Sequence, residues 1–533
     1  MNTYSRFHRA PRLTPLASCL AAALAIASGT FTITARSEMP FNRARPGSLD
    51  LSAPAGLRPQ RPQPRDLDAI EARWRSMLAR EIPRVPANSI PVSNCNDSGA
   101  GSLRDAVNSA GDGDTIDMTG LSCSQITLTT GAIAVTQNDL TLQGTGGLIL
   151  DAGYADIALL HDGNGTLYIN DLAIEHGYKY FTDAQIDPAR GGCIFSAGTV
   201  ALTNSIVAFC EARSSSTHYP VLGGGIYAQD GVSLDTSIVA FNRASADTYE
   251  SRGGGIYSGG FFDSVNSTVF VNAATGGPPG EDQPLGGYHS FGGGVFVKGD
   301  LILKYSTVDN NSALRNNGGG IFADGNVSIL NSTISDNAAA VSGGIELNSV
   351  YASSLLTIRN STISGNRAYF IGGIAAEEPT KISNSTIAFN TETSATKYGA
   401  GLSGGTNVEL QSTIIASNYD VNGATPLPDD IGSNSTLTLS GADNLVVLST
   451  VTLPSGTITG QSPRLAALSY NGGSTKTHML LTGSPAINTG NNSANTNYDQ
   501  RGDGFPRVIG ANADIGAYEL DINDLIFANG FDP

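Results

Sequence analysis

Aromatic and acidic side chains in the segments between repeated glycine runs are the residues of this chain that could do chemistry. The aromatic candidates for contact with a ligand are Tyr180, Tyr219, Tyr249, Tyr288, His289 and Tyr398. Aromatic rings offer flat apolar platforms with polar handles, so these residues predict a surface that binds glycans or another surface ligand. The alternative is that the rings pack their own segments onto the body of the protein.

Carboxylates in the same segments raise the rival possibility of an enzyme acting on polysaccharides, either a lyase or a glycoside hydrolase. The candidate acids are Glu211, Asp247, Glu281 and Asp282. A glycosidase needs two carboxylates about 5–10 Å apart, which on a repetitive fold would come from adjacent repeats. The acids in Asp230-Gly231 and Asp324-Gly325 are better explained as turn residues. No catalytic residue is assigned, and a non-enzymatic role in adhesion or surface binding is favoured.

Composition narrows the range of partners. The chain has 30 Lys and Arg against 47 Asp and Glu, a formal net charge of −17, which argues against nucleic acid because phosphate binding needs clustered basic residues. No Ser/His/Asp arrangement, metal-spaced His/Cys set or phosphate loop stands out, so no metal or cofactor is expected. Beyond the N-terminus no segment is apolar enough to span a membrane. Polysaccharides or cell-surface glycans are the expected partners.

A repeat organises the middle of the chain. Each copy can be aligned on the last residue of its glycine run, which is Cys193, Gly225, Gly255, Gly294, Gly320, Gly344, Gly373 or Gly401. Successive copies are 24 to 39 residues apart. A period of this size indicates a solenoid or a propeller, but a propeller blade needs four strands and about 40–45 residues. The spacing therefore favours a solenoid.

Inside each copy, two aliphatic positions five residues apart define the geometry, as at Leu202 and Val207. Alternating side chains cannot keep both on one face across an odd step, so the chain must bend between them. Three residues later an Asn recurs, as at Asn337, and at this corner we expect left-handed backbone and hydrogen bonds between stacked copies. Short strands joined by bends of fixed length predict an all-β fold, a parallel β-helix.

Three regions resemble known bacterial families. Cys95–Thr129 is similar to the CSLREA-type N-terminal segment of secreted β-helix proteins, and the central copies are similar to generic parallel β-helix repeats. The C-terminal block resembles the choice-of-anchor Q domain through Asn471-Gly472-Gly473, His478, Gly483–Asn488, Asp499–Gly502 and Asp514–Glu519. The resemblance implies a right-handed β-helix that is exported or at the cell surface, ending in a β-rich cap. It implies no established activity and supplies no catalytic residues.

The expected domain organisation starts with an export signal. Arg6, Arg9 and Arg12 precede the apolar run Leu16–Ile26, which predicts a signal peptide over residues 1–35 and an extracellular or bacterial cell-surface location. The other expected regions are a Pro/Arg-rich linker at 36–91 with a short amphipathic helix at Leu67–Ile82, a β-helix at 92–460, the choice-of-anchor Q-like region at 461–519 and a tail at 520–533.

Removal of the signal would leave four cysteines, Cys95, Cys123, Cys193 and Cys210. An even number in an exported chain suggests disulfides, and four cysteines allow three pairings. Pairing of sequence neighbours is the simplest expectation, and buried free thiols are the alternative.

Overall fold

In the computed structural model, the described residues are 88–183, 187–277, 289–313, 315–347, 354–394, 398–405, 407–433 and 437–521. The predicted signal peptide, the amphipathic helix at Leu67–Ile82 and nearly all of the linker and tail lie outside the described residues. So do three candidate site residues, Tyr288, Glu281 and Asp282.

The described chain is a right-handed parallel β-helix, which confirms the predicted fold class. One sheet receives a single strand from each turn of the chain, and its 11 strands count the turns, which we call coils. At about 4.8 Å between parallel strands, these coils make a rod about 50 Å long. The strands of successive coils pair in parallel, and Tyr419–Asp420 with Leu427–Pro428 is the antiparallel pair.

Four sheets run along the rod, and we call them A to D. Sheet A has 24 strands: Ser89–Pro91, Thr115–Asp117, Gln125–Thr127, Leu140–Asp151, Thr166–Glu175, Thr199–Thr203, Ile206–Ala208, Gly231–Asp235, Ile238–Ala240, Phe261–Val265, Thr268–Phe270, Leu301–Lys304, Thr307–Asp309, Val327–Leu330, Thr333–Ser335, Leu356–Arg359, Thr362–Ser364, Thr380–Ser383, Thr386–Ala388, Asn407–Gln411, Ile414–Ala416, Thr438–Ala442, Leu445–Val446 and Ile458–Thr459.

The other three sheets are narrower. Sheet B has 11 strands: Ile133–Val135, Leu159–His161, Ile194–Ser196, Ile226–Ala228, Ile256–Ser258, Val295–Val297, Ile321–Ala323, Ile345–Leu347, Ile374–Ala376, Leu402–Gly404 and Ile431–Gly432. Sheet C has 10 strands: Tyr178–Phe181, Glu211–Ser214, Arg243–Ala246, Ala273–Thr275, Ser312–Ala313, Ala338–Ala339, Arg367–Ala368, Thr391–Glu392, Tyr419–Asp420 and Leu427–Pro428. Sheet D has four strands: Ala189–Arg190, Val221–Leu222, Ser251–Arg252 and Ser290–Phe291.

The predicted bend within each coil is present in sheet A, between the two strands that carry the paired aliphatic residues. Leu202 and Val207 are both buried in the core although an odd step separates them. The bend is made by a residue with left-handed backbone, Asn204 in this coil, with φ of 48°. The same position in later coils is held by Thr236, Asn266, Tyr305, Asn331, Asn360, Asn384 and Ser412, all with positive φ.

The recurring asparagines form a continuous buried ladder. Their side-chain amides are linked in the order Asn242, Asn272, Asn311, Asn337, Asn366, Asn390, Asn418 and finally Asp430. Each Nδ2 donates to the next carboxamide or carboxylate oxygen, and each such oxygen also accepts the backbone N–H of the preceding rung. The predicted hydrogen bonding between stacked copies is therefore confirmed.

The prediction of left-handed backbone at the ladder asparagines was wrong. The ladder asparagines do not have positive φ; the residue just before each of them does, as at Phe241 (56°) and Asn310 (54°). The reason is that the ladder side chain must point inward to reach its neighbours, so the sharp reversal falls on the residue that faces solvent.

Both disulfides join sequence neighbours, which confirms the simplest pairing. Cys95 is bonded to Cys123, with Cα atoms 6.5 Å apart, and Cys193 to Cys210, with Cα atoms 5.5 Å apart. Cys210 holds the first ladder position, where its backbone N–H donates to Asn242 Oδ1 at 3.0 Å. The second disulfide thus replaces the amide ladder in the coil where the ladder begins.

The described part of the chain has one α-helix, Leu103–Ser109. Ser102 caps it by accepting the N–H of Asp105, and Leu103, Ala106 and Val107 are buried against the N-terminal end of the core. Nowhere in the described residues is a helix long and apolar enough to cross a membrane.

The C-terminal block, residues 461–521, packs along the outer face of sheet A. It contains isolated antiparallel bridges, such as Leu465 with Leu480, and no continuous strand among its described residues after Thr459. Side chains at the sheet A bend bind its backbone: Asn331 Nδ2 donates to the Asp499 carbonyl at 2.8 Å and Asn360 Nδ2 to the Tyr498 carbonyl at 2.9 Å. Asn331 and Asn360, each the bend residue of its coil and the first residue of an Asn-Ser-Thr triplet, therefore anchor the block.

Within the block, the residues that resemble the choice-of-anchor Q motif are buried contacts. Arg501 is 5% exposed, lies between the rings of Phe505 and Tyr518, and is paired with Asp499 at 2.9 Å. Because its guanidinium is buried, the sequence Arg501-Gly502-Asp503 does not present its arginine at the surface.

Gln500 is the central contact between the block and the rod. Its Nε2 donates to Thr333 Oγ1, Thr475 Oγ1 and the Lys476 carbonyl, each at 3.0 Å, and its Oε1 accepts from Thr362 Oγ1 at 2.6 Å. The side chain is 1% exposed. It therefore connects two coils of the rod to two residues of the block.

We expect Gln500→Ala to release the C-terminal block, at a cost of about 2–4 kcal/mol, because four hydrogen bonds are lost and several buried partners are left unpaired. Amide exchange should become faster at Ala517 and Gly516, whose N–H groups donate to Thr386 Oγ1 and the Ser412 carbonyl. Leu481→Ala is the control, since Leu481 lies in the same block but is 41% exposed. Equal protection of these amides in both variants would contradict the assigned role of Gln500.

Candidate functional site

A row of aromatic rings lies at one corner of the rod, where sheet A turns into sheet C. We call it the aromatic ridge; its residues are Tyr154, His176, Phe209, Phe241 and Phe270, one from each of five successive coils. Neighbouring ring centroids are 4.9, 5.8, 5.0 and 5.2 Å apart in that order. Tyr154, at one end, is 54% exposed, and the other four are half-buried. The ridge therefore presents ring surface to solvent.

The backbone of the ridge is strained. Tyr154, His176, Phe209 and Phe241 all have φ of 56° or 57°, in the left-handed region that bulky residues rarely adopt. Such a conformation costs on the order of 1–3 kcal/mol per residue. Later coils place Asn310 and Gly365 at the same corner, which are residues that tolerate this backbone better. Coil geometry therefore does not require aromatic residues here.

The ridge occupies the part of the corner that the C-terminal block leaves open. At the same corner position in a later coil, Phe389 packs against His478 of the block, with ring centroids 4.9 Å apart. In the coil just beyond the ridge, Lys476 of the block is 3.8 Å from the Asp309 carboxylate. The block thus covers the later coils of this corner, and the ridge remains exposed on the earlier ones.

Two carboxylates lie beside the first rings of the ridge. Asp151 and Glu175 are direct partners in the parallel register of sheet A, and both face outward. Asp151 is well held: Oδ1 accepts the Gly153 N–H at 2.8 Å and lies 3.1 Å from His176 Nδ1, and Oδ2 accepts from Gln125 Nε2 at 2.8 Å. Burial raises the pKa of the Glu175 carboxyl above its ordinary value, while His176 acts in the opposite direction and Asp151 raises the pKa further.

Sheet C continues the same surface away from the ridge. Tyr178 and Tyr180 stack with ring centroids 6.4 Å apart and ring planes 9° apart. Tyr178 is in register with Glu211, and Tyr180 is in register with Arg213. Arg213 forms a salt bridge with Asp247 at 3.0 Å. The structure thus brings together two of the acids singled out in the sequence, Glu211 and Asp247, with Tyr180.

The charges of this surface affect its tyrosines. Burial and the nearby Glu211 carboxylate raise the pKa of the Tyr178 phenol, and burial together with Asp151, Glu175 and Glu211 raises that of Tyr154. Among the described residues, no group of three or more His, Cys, Asp and Glu side chains is placed to hold a metal ion. The surface is therefore an aromatic one bordered by carboxylates.

The other predicted site residues within the described part of the chain lie in the connections that follow sheet C strands. Tyr219 and Tyr249 are half-buried in connections between these sheets, on the two coils that follow that of Tyr180. His289 Nδ1 lies 2.6 Å from Asn316 Nδ2, and its ring packs near Phe291. Tyr398 packs edge-on against Phe370. Of the predicted site residues, Tyr180 has a ring that stacks with another ring of sheet C, that of Tyr178.

The segments between the glycine runs at this edge are partly strands. Residues 211–222 begin with the sheet C strand Glu211–Ser214 and end with the sheet D strand Val221–Leu222. Residues 243–252 do the same with Arg243–Ala246 and Ser251–Arg252. Their small and charged residues lack the aliphatic alternation that marks the other strands, so the sequence pattern does not predict strands there.

A second aromatic row covers the outside of sheet B and is structural. It follows each glycine run by two residues and comprises Phe195, Tyr227, Tyr257, Phe296 and Phe322, with stacked rings 5.2 or 5.3 Å apart. The last four are at most 6% exposed. Arg190 lies over the ring of Tyr227 and Arg252 over that of Phe296. This row was missed in the sequence, although its constant offset from the glycine run is a visible signal.

The ridge itself and the Asp151–Glu175 pair were also missed. Asp151, Tyr154 and Glu175 precede the first glycine run, so the repeat alignment did not include them. Phe209 and Phe241 stand directly before the ladder residues Cys210 and Asn242. This pattern is visible in the sequence and could have been followed back to His176 in the preceding coil.

Comparison with known proteins gives a similarity to a solved structure. No family model and no curated protein matches the chain. Among solved structures, it is similar to a crystal structure of pectate lyase Pel9A, with a TM-score of 0.37 and 12% sequence identity. That similarity covers 82% of this chain and 96% of the pectate lyase chain. These comparisons identify no family for the protein.

Proposed function

We propose that this protein is an exported β-helix protein that binds glycans along the aromatic ridge, in adhesion or attachment to a surface. The observation that carries the proposal is the row of aromatic rings that are exposed or half-buried, four of them held at positive φ. Exposed aromatic side chains at unfavourable φ reduce stability, so their presence is best explained by what they contact. Rings in a row along a straight rod suit a linear polymer, because a sugar ring can stack on each aromatic face.

The proposed surface extends from the ridge across sheet C to the edge between sheets C and D. Tyr180, which is 45% exposed, lies on sheet C. Tyr219, Tyr249, His289 and Tyr398 remain proposed contacts along the far edge, as does Tyr288. Exposed irregular connections on one side of a solenoid are a common position for binding residues.

Export is supported by the two disulfides, since disulfides persist in oxidising compartments. We further propose that residues 461–519 are a choice-of-anchor Q-type domain and that Cys95–Thr129 is a CSLREA-type segment. Support for the first comes from His478 and Gln500, motif residues that make buried hydrogen bonds to Ser364 and Thr362 of the rod. In this proposal the motif encodes docking of the block to a β-helix.

A second candidate function, hydrolysis of a polysaccharide, is favoured by the Asp151–Glu175 pair. In-register residues of adjacent strands are about 4.8 Å apart, and retaining glycosidases hold their two carboxyl groups about 5–5.5 Å apart. The raised pKa of Glu175 suits a general acid, and the hydrogen bond from the Gly153 N–H holds Asp151 in place as the second carboxyl group. Release of reducing ends from a polysaccharide panel by the native protein, and its loss in Glu175→Gln, would establish this activity.

The proposed glycan binding is tested by Phe209→Asn combined with Phe241→Asn. Asn tolerates left-handed backbone, so we expect the melting temperature to stay equal or rise, while affinity for a bound glycan falls by about tenfold or more. Affinity would be measured by calorimetry on a glycan selected from an array. Val271→Asn is the matched control, because Val271 has the same corner geometry and is 38% exposed but carries no ring.

The two measurements separate the alternatives. If the aromatic rings serve only to pack the coils, the double variant will melt at a clearly lower temperature. If it melts normally and binds as tightly as the native protein, the ridge is not the binding surface.

A further inference from the structure

We infer that the aromatic ridge is specific for a glycan that carries protonated amino groups, with Glu175 and Glu211 as the residues that select for positive charge. This inference rests on the proposed glycan binding and names its substrate class. It follows from the charges around Tyr154, the most exposed ring of the ridge.

Three carboxylates from successive coils converge on this end of the ridge. Asp151 and Glu175 are in register on sheet A, and Glu211 follows on the next coil, at the start of sheet C. All three act on the Tyr154 phenol through their charge, which shows that they lie within electrostatic range of its ring. Tyr154 is therefore an exposed aromatic ring bordered by negative charge.

Two of these carboxylates are not engaged in a salt bridge within the described residues. Asp151 is paired with His176, and Arg213, two residues after Glu211, is paired with Asp247. Neither Glu175 nor Glu211 forms a salt bridge with a described residue. Burial disfavours the charged form of Glu175, and an approaching cation offsets that cost.

Aromatic faces and carboxylates attract the same class of ligand. A cation over a Tyr or Phe ring is attracted by the negative face of the ring, and a neighbouring carboxylate adds to that attraction. A glycan that carries carboxylate or sulfate groups would instead meet like charges at the ridge and be repelled. The arrangement thus combines stacking, which any sugar ring can provide, with selection for an ammonium group.

The experiment compares three soluble probes by calorimetry on the full chain: oligomers of glucosamine, their N-acetylated counterparts and oligogalacturonate. At a pH that protonates the amines, we expect the glucosamine oligomer to bind about tenfold more tightly than the acetylated form and oligogalacturonate to bind least. Glu175→Gln with Glu211→Gln should abolish most of that preference, because the larger loss of affinity falls on the glucosamine oligomer.

A matched variant controls for the overall negative charge of the chain. Glu409→Gln with Asp420→Asn removes the same charge from later coils and should keep the preference for the amine. Equal losses in the two double variants, or equal affinity for amine and acetylated oligomers, would overturn the inference while leaving glycan binding in place. If none of the three probes binds, the inference is overturned. If no other glycan binds the ridge either, the proposed function is overturned as well.

Discussion

Asn337→Ala is expected to lower the free energy of unfolding by about 3–5 kcal/mol, which is large for one substitution in a chain of this size. Asn337 is fully buried. Its Oδ1 accepts the backbone N–H of Asn311 at 2.9 Å, and its Nδ2 donates to the Val308 carbonyl at 3.0 Å. The substitution leaves both of these backbone groups buried without partners, and each such group costs about 1–3 kcal/mol.

The same substitution interrupts the ladder in both directions. Asn337 also accepts from Asn311 Nδ2 at 3.0 Å and donates to Asn366 Oδ1 at 2.9 Å. In a solenoid each coil is stabilised by its neighbours, so a broken ladder weakens the contact between two halves of the rod. We therefore expect urea unfolding to lose cooperativity and to show two transitions.

Urea denaturation and amide exchange at Asn311 would measure the effect. Asn422→Ala is the control, since Asn422 is exposed and its backbone N–H, not its side chain, makes the described hydrogen bond to Asp420. A loss for Asn337→Ala no larger than that of the control would mean that the ladder contributes alignment but little stability.

The ladder also shows what sequence reasoning could reach in this protein. A buried Asn at a constant distance from the aliphatic positions is a hydrogen-bonding requirement, and its position was predictable from spacing alone. The left-handed residue before it was not, because Phe241, Asn310 and Gly365 share no side-chain property. What they share is a backbone conformation imposed by the coil, and residue identity at that corner follows from function or solvent contact.

Coils without glycine runs were harder still. The aliphatic residues of Leu140–Leu142 and Leu167–Ile174 indicate strands, but the register of these strands cannot be predicted without an anchor residue. Their register is what places Asp151 beside Glu175. The candidate site was therefore missed where the repeat was least regular, whereas the fold could be predicted from the regular copies further along.

Glu346 is a carboxyl group that is buried because it occupies a regular position of sheet B. It holds the position after Phe322 in the register of sheet B, so it extends the buried aromatic row with a carboxyl group that is 4% exposed. Asn317 Nδ2 donates to its Oε1 at 3.1 Å, while its Oε2 has no partner among the described residues. Burial raises the pKa of Glu346 to about 7, with hydrogen bonds from Ser342 and Asn317 acting in the opposite direction.

This raised pKa makes stability fall as pH rises. The folded state holds the Glu346 proton up to a pKa of about 7, whereas the unfolded chain releases it near its ordinary 4.5, so stability is highest below that value. It declines between the two pKa values and levels off above the upper one. A difference of this size corresponds to about 3 kcal/mol, since one pKa unit equals about 1.4 kcal/mol.

Glu346→Gln should therefore stabilise the protein by about 3 kcal/mol at about pH 8 and have little effect at about pH 4, because the amide is neutral at both. Urea unfolding of native protein and variant at a series of pH values measures the difference, in which the titration of all other groups cancels. Glu409→Gln, at an exposed position, should show no such trend. A difference between native protein and Glu346→Gln that stays constant with pH would mean that Glu346 is ionised in the folded state throughout, and that its buried surroundings contain a compensating positive charge.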